Sequence, residues 1–238
     1  MNRYLTNAIR WVMDECVPAA IRDSRPFMFP FYRLAYRGQL GPVMDFKSRA
    51  ATMTRAEYVA FYRDLDSLSR RRATDLTPAC AERLVAAIDP DAASFLDVGC
   101  GNGWLATRVA AARPALSVVG CDVRTPPAAA RVAFACAEVE RLPFRDGAFD
   151  VVACSHTLEH VADLGAAWRE LRRVARRRLL VVVPRQRYFY YTLDEHLHFF
   201  PDASSLARAF GLAGTAHAVA SIWGDWLLDV RCGPGAGG

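Results

Sequence analysis

Three glycines at alternate positions, Gly99, Gly101 and Gly103, follow the apolar run that ends Leu96-Asp97-Val98 and precede the helical pattern Trp104 to Ala112. Glycine has no Cβ and accepts left-handed backbone, so such a turn lets a ligand lie against main-chain N–H groups at a helix start. A second apolar run, Ser117 to Cys121, ends in Asp122. An acid there is placed to accept hydrogen bonds from a ribose diol. These features point to a nucleoside cofactor at the carboxyl edge of a sheet. The spacing narrows the choice. A dinucleotide fingerprint spaces its glycines G-x-G-x-x-G and turns the helix start toward a pyrophosphate. Here the spacing is G-x-G-x-G, and Asp97 stands two residues before the first glycine. An acid there would repel a pyrophosphate and suits a cationic amino group.

The run Asp97-x-Gly99-x-Gly101-x-Gly103 resembles the first motif of class I S-adenosylmethionine (SAM) methyltransferases, and Glu195-His-Leu-His-Phe-Phe200 resembles the small-molecule and glycan methyltransferases of the broad family that contains the methyltransferase type 11 proteins. Glu138-Val-Glu-Arg-Leu-Pro-Phe144 resembles their acidic segment after the third strand. Phe149 to Cys154 resembles their fourth strand, and Ser155-His-Thr-Leu-Glu-His-Val161 the stretch that follows. The resemblance spans residues 92–232, with the motifs in the family's order. It implies SAM as cofactor, held by the main chain of Gly99, Gly101 and Gly103 with Asn102 beside them. Asp97 would meet the ammonium group, and Asp122, with Val123 next to it, the ribose. Glu138 would face the adenine amino group while the Val139 N–H reaches a ring nitrogen. Cys154 and Ser155 would flank the methionine portion. The family more often has aspartate where this chain has Glu138, which weakens the adenine assignment.

Two histidine clusters remain. His156-Thr-Leu-Glu-His160 matches H-x-x-E-H, an inverted zinc-peptidase pattern. It directly follows a buried strand at the cofactor edge, and similar methyltransferases carry such a stretch without zinc. The expected role of His156 or His160 is therefore to border the substrate, where a neutral imidazole can take a proton from a hydroxyl. A hydrogen-bonded, half-buried His160 is the plainer alternative. The second cluster runs from Arg185 to Phe200, after the fifth strand, where α/β folds place substrate loops. Tyr188, Tyr190, His196 and His198 are its candidates for contact with the acceptor; otherwise its aromatics only pack the loop. His196 and His198 stand two apart and could point the same way, but neither cluster holds a complete ligand set. No metal is expected.

The elements that must position these groups follow from periodicity. Strands are expected at 94–98, 117–122, 132–137, 149–154 and 178–183, alternating with helices as in a parallel sheet covered on both faces. Residues 215–222 and 225–232 read as an antiparallel close. The fold class is thus α/β: a Rossmann-like, doubly wound, mostly parallel seven-stranded sheet with an antiparallel final strand. The crossover after Asp122 carries two prolines near its start, Pro126 and Pro127, and leaves room for a helix of a turn or two. Residues 1–90 read as a helical lid. Ile9, Val12, Met13 and Cys16 share one helical face; Tyr58, Val59, Phe61, Tyr62, Leu65 and Leu68 form a second stripe. Between them lies the proline-interrupted aromatic segment Arg25 to Arg33. Thr77 reads as an N-cap before Pro78. This cap should lie over the cofactor and face the 188–200 loop across the acceptor pocket, with Phe27, Phe29, Phe31, Tyr58 and Tyr62 as wall residues. The core is residues 91–232, and 233–238 a flexible tail.

Composition sets the outer limits. The chain has 238 residues, 53% of them hydrophobic, and a net charge of +5; that surplus is too modest to imply nucleic acid by itself. No apolar run has the length of a membrane span, and no signal-like segment opens the chain. Seven scattered cysteines without a C-x-x-C pair suggest free thiols in a reducing cytoplasm. Arg70-Arg71-Arg72 and the arginines from Arg172 to Arg178 read as solvated faces, or else as contacts for an anionic partner such as a phosphate, an acidic lipid surface or RNA. The expected activity is methyl transfer from SAM to an oxygen or nitrogen of a small molecule, a specialised metabolite or glycan. An RNA or protein methyltransferase, and a SAM-fold binding protein without catalysis, are the competing readings. Peripheral membrane contact is left open, and oligomeric state is not readable.

Overall fold

A computed structural model describes residues 3–36, 40–65 and 72–233. Seven strands form one sheet: β1 (Ser94–Val98), β2 (Ser117–Asp122), β3 (Val132–Cys136), β4 (Phe149–Ser155), β5 (Ala175–Pro184), β6 (His217–Ile222) and β7 (Asp225–Arg231). Their spatial order is β3-β2-β1-β4-β5-β7-β6. All neighbouring pairs are parallel except those of β7, which runs antiparallel to both β5 and β6. The strand order reverses between β1 and β4, and ligands bind such sheets at the carboxyl ends beside that switch. Alternate side chains enter opposite layers. Leu96, Val98, Val152 and Val181 belong to one core, and Phe95, Val151, Leu180 and Val182 to the other. Asp97 shares the side of Phe95, and therefore points toward the helix that follows β1.

That helix is α8 (Trp104–Ala112). The N-terminal region holds α1 (Arg3–Glu15), α2 (Ala19–Arg22), α3 (Arg25–Tyr36), α4 (Leu40–Met44), α5 (Phe46–Ala50) and α6 (Arg55–Asp64). The core adds α7 (Pro78–Ala86), α8 (Trp104–Ala112), α9 (Leu164–Val174) and α10 (Ala203–Ala209). Thr77 caps α7, accepting from Cys80 N, and Thr54 and Glu57 form a capping box on α6. The crossover after Asp122 holds no helix between β2 and β3, less than the turn or two expected. The segment from Arg25 is helical despite its prolines. Pro26 lies in the first turn, where its missing N–H costs nothing, and Pro30 removes a single bond further in.

The N-terminal helices grip the 185–200 loop rather than face it across a gap. Met28, Tyr32, Tyr36, Val43 and Met44 form a third core with Phe189. The Tyr32 hydroxyl donates to Thr192 O at 2.6 Å, and that of Tyr36 to Leu193 O and to Glu195 Oε1. Arg22 donates to Tyr188 O at 2.8 Å, and Lys47 to Phe189 O. Ile9, Val12, Phe29 and Phe31 are left exposed. Part of the α1 stripe and two of the five aromatics expected on the pocket wall therefore face outward, whereas Met13 of that stripe packs against the third core. No described helix is long and apolar enough to cross a membrane. Cys80, Cys100, Cys121 and Cys154 are buried free thiols, whereas Cys136 is exposed. Leu68, Arg70, Arg71 and residues 234–238 of the expected tail lie outside the described residues.

The arginine run is absorbed by the fold. Arg173 binds Glu170 and Asp146, Arg177 binds Asp91, and Arg178 binds Asp89 and Asp229. Arg176 pairs with the buried Asp150, whose other oxygen accepts from Ala93 N and Ser94 N and so fixes the start of β1. These pairs leave little of the run for an anionic partner.

Candidate functional site

A cavity of about 730 Å³ opens at the carboxyl ends of β1, β2 and β4, roofed by α6. One end is built by the β1–α8 turn. Gly99, Gly101 and Gly103 all take positive φ, at +69°, +56° and +79°. A Cβ on Gly99 would stand 2.1 Å from Thr157 Oγ1, whereas one on Gly101 would meet nothing within 4 Å. The first glycine is thus required by packing, and the second leaves backbone open to a ligand. Gly103 does not line the cavity; it is the left-handed N-cap of α8 and packs near Phe134.

Asp97 lies beneath the first turn of α8 and lines the cavity while only 1% exposed. Its Oδ2 accepts from Ala106 N at 3.1 Å, and its Oδ1 has no hydrogen-bond partner. Burial is the main reason its carboxyl is pushed up to about 7; the Ala106 N–H pulls down and the charge of Asp122 pushes up. A buried carboxylate oxygen without a donor is costly. Such an atom at the cavity wall fits the ammonium end of an amino-acid ligand. Asp122 accepts from Gly101 N at 3.0 Å and from Arg124 N at 3.2 Å. A carboxylate accepts only, and at this strand end it faces the cavity where ribose hydroxyls would donate. Val123, Asn102, Val139 and Ser155 also line the cavity. Asn102 does structural work as well: its Nδ2 donates to Ala73 O at 2.9 Å and its Oδ1 accepts from Trp104 N. Glu138 lines the wall but is bridged by Arg55 Nε at 2.6 Å. Cys154 does not reach the cavity; its side chain belongs to the core.

The other end of the cavity is aromatic and polar. Tyr58 and Tyr62, one turn apart on α6, cover His160, whose main-chain carbonyl accepts from the Tyr58 hydroxyl. Tyr62 donates to Glu195 O at 3.0 Å and its oxygen lies 3.5 Å from His160 Nδ1. Burial raises both phenols well above their ordinary value, so at neutral pH they are donors and not bases. His156 also lines the wall, in the left-handed region at φ +50°. Its Nδ1 lies 3.3 Å from Glu159 Oε1 and its Nε2 3.6 Å from Asp225 Oδ2. Glu195 is left-handed too, at +51°. Two strained non-glycine residues at one cavity end mark a place where surrounding contacts fix the backbone.

The remaining expected residues fall behind or outside this wall. His196 is buried, its Nδ1 2.7 Å from Gln186 Oε1. His198 holds Val161 O at 2.9 Å, and burial lowers its pKa, so it is a neutral donor to backbone. Tyr188 is 56% exposed, lies under the Lys47 ammonium and meets Phe199 edge-on. Tyr188, Tyr190 and His198 therefore do not line the acceptor end. Sequence reasoning missed Arg55, Arg124 and Glu195, and singled out Arg72 only as part of a basic run; all four are on the cavity wall. Arginines in exposed stretches carry no periodic signal. Glu195 reaches the site only because Tyr36 holds the loop.

Comparison with known proteins gives a consistent picture. A methyltransferase-domain family matches residues 96–183. The chain is 34% identical over 104 residues to a demethylmenaquinone methyltransferase of Roseiflexus sp. (strain RS-1), a match covering 40% of this chain and 44% of that protein. It is 37% identical over 93 residues to a malonyl-[acyl-carrier protein] O-methyltransferase of Geobacter sulfurreducens, covering 34% of each. The chain spans less than half the length of these curated relatives. Among solved structures, PigF with SAH superposes with a TM-score of 0.56 at 17% identity, over 91% of this chain and 78% of that one.

Proposed function

We propose that this chain, which carries a class I SAM-dependent methyltransferase domain, methylates an ionisable oxygen or nitrogen of a small organic acceptor held beneath α6. The observation that carries this reading is one cavity with two different ends. The unpartnered Asp97 Oδ1 and the glycine turn stand at one, and Tyr58, Tyr62, His156 and His160 at the other. The first end fits a cationic amino acid joined to a nucleoside: Asp97 would hold the ammonium group and Asp122 the ribose, with Val139 and Glu138 along the base. SAM, when bound, supplies an electrophilic methyl group on a sulfonium with a good leaving group. The protein's part is then alignment and exclusion of water. Tyr58 and Tyr62 close the roof and orient an acceptor by hydrogen bonding, since neither phenol ionises there.

His160, half-buried on the wall, is placed to take the proton that an acceptor hydroxyl or ammonium must lose as its new bond to carbon forms. His156 has both ring nitrogens turned toward buried carboxylates and is better placed to order the wall than to accept a proton. The matched relatives are named as a methyltransferase of demethylmenaquinone and an O-methyltransferase of malonyl-[acyl-carrier protein]. A third relative is named a C-methyltransferase of ubiquinone and menaquinone biosynthesis, so the names select no acceptor atom. The test is a screen of small-molecule acceptors with methyl-labelled SAM, read by mass spectrometry. Label transferred to a small hydroxyl or amine compound, and lost in Asp97→Ala, supports the reading. Label found only on RNA or protein replaces it.

A further inference from the structure

The two histidine motifs that the sequence separates by more than thirty residues meet in the fold. The β5–α10 loop lies against the 3₁₀ turn Leu158–His160, with Leu197 N and His198 N both donating to Glu159 O, at 2.7 and 3.1 Å. This contact brings one carboxylate oxygen of Glu159 and one ring nitrogen each of His160 and His196 within 4.8 Å of one another. From this geometry we propose that Glu159, His160 and His196 bind one divalent transition-metal ion of the zinc type, at the acceptor end of the cavity.

Three independent features support the site. The first is charge. Glu159 is fully buried, and neither of its carboxylate oxygens accepts a hydrogen bond. A buried carboxyl whose oxygens accept no hydrogen bond needs a close partner. Its nearest candidate, the His156 imidazole at 3.3 Å, also faces the buried Asp225 at 3.6 Å, so whatever charge it carries is shared. A cation among the three ligands would answer the remainder. The second feature is orientation. An amide oxygen can only accept, so the 2.7 Å contact from His196 Nδ1 to Gln186 Oε1 places the ring proton on Nδ1. The Nε2 lone pair is then turned into the cluster, 4.0 Å from Glu159 Oε1. Metal-bound histidines are oriented in this way by a hydrogen bond on the other ring nitrogen. The third feature is access. Glu159 and His196 lie at the back, while His160 lines the cavity. Three protein ligands with the fourth position toward a cavity is the arrangement of a zinc site that admits a substrate. Two imidazoles with one carboxylate suit zinc, cobalt or iron, not the all-oxygen shells of magnesium or calcium.

Resting on the methyltransferase reading, the open position would take the acceptor oxygen and ease loss of its proton to solvent; whenever the ion is bound, this replaces the proton-accepting role given above to a metal-free His160. The existence of the site does not depend on that reading. The test uses the full chain, freed of metal by chelation and titrated without SAM. Zn²⁺ is added against a chromophoric competitor, and Co²⁺ is followed by its visible spectrum. One equivalent is expected, with bands of a four-coordinate nitrogen and oxygen site and no thiolate charge transfer. Gln186→Leu should weaken binding about 10–100-fold, and His160→Gln by more. Glu159→Gln should abolish it; should that buried variant not fold, the half-buried His160→Gln decides. No uptake at micromolar zinc, thiolate bands from the free cysteines, or wild-type affinity in His160→Gln would overturn the proposal. Binding of S-adenosylhomocysteine in the same samples separates the two readings. Retained nucleoside binding without metal uptake sinks only the metal site, and metal uptake without nucleoside binding sinks only the methyltransferase reading.

Discussion

Asp97 should release a proton when the nucleoside binds, and the amount should follow pH. Burial pushes its carboxyl from an ordinary 3.8 up to about 7. At about 1.36 kcal/mol per pH unit, keeping it ionised in the empty protein costs on the order of 4 kcal/mol. The sign follows from the raised value. Between pH 4 and 7 the folded protein holds a proton that the unfolded chain has lost, so this group's contribution to stability falls as pH rises through that window and levels off above 7. A ligand ammonium at the unpartnered Oδ1 favours the anion. S-adenosylhomocysteine binding should therefore release about 0.9 proton at pH 6, about 0.5 at pH 7 and about 0.1 at pH 8. Calorimetry in pairs of buffers with different ionisation enthalpies reads this directly. Asp97→Asn removes both the release and the charged contact. It should raise the stability of the empty protein at pH 8 while weakening binding by roughly 1.5–3 kcal/mol, about ten- to 150-fold. Proton release that does not change with pH, or persists in Asp97→Asn, would refute the placement of the ammonium group.

Gly99→Ala should lower the melting temperature well beyond Gly101→Ala. Both add roughly 1–2 kcal/mol of left-handed strain, but only the former drives a Cβ into Thr157; equal losses by thermal unfolding would contradict the packing account. Tyr62→Phe removes the donor to Glu195 O and should cut turnover far more than S-adenosylhomocysteine affinity. A matched loss in both would move Tyr62 to the cofactor end. Arg55→Ala breaks a half-exposed pair with Glu138 and should change stability by less than about 1 kcal/mol. It should still speed nucleoside release in stopped-flow measurements, and an unchanged off-rate would remove Arg55 from the roof.

What the sequence revealed follows what is encoded locally. The strands that hold the site begin and end within about three residues of their expected limits, because buried parallel strands are short apolar runs bounded by turn residues. The glycine turn, Asp97 and Asp122 could be placed from the sequence because each lies at or beside the end of an apolar strand run. The N-terminal helices were legible as helices but not in their facing. Periodicity shows that Ile9 and Val12, or Phe29 and Phe31, can share a side with other apolar residues; it does not say what covers that side, and here nothing described does. Tyr58 and Tyr62 fell on the buried side and so onto the roof. The least legible feature was the meeting of Glu159 and His160 with His196. It depends on the 185–200 loop folding back, held by Tyr32 and Tyr36 from a helix more than 150 residues away. Read singly, each histidine motif was half of a set.

The central claim is that one cavity seats the nucleoside on the β1–α8 turn and turns its reactive end toward α6. A crystal structure of the chain with S-adenosylhomocysteine tests it most directly. The account predicts the amino group within hydrogen-bond distance of Asp97 Oδ1, the ribose hydroxyls on Asp122, and the sulfur facing the space enclosed by Tyr58, Tyr62 and His160. A nucleoside seated elsewhere, or an amino group pointing away from Asp97, would contradict it.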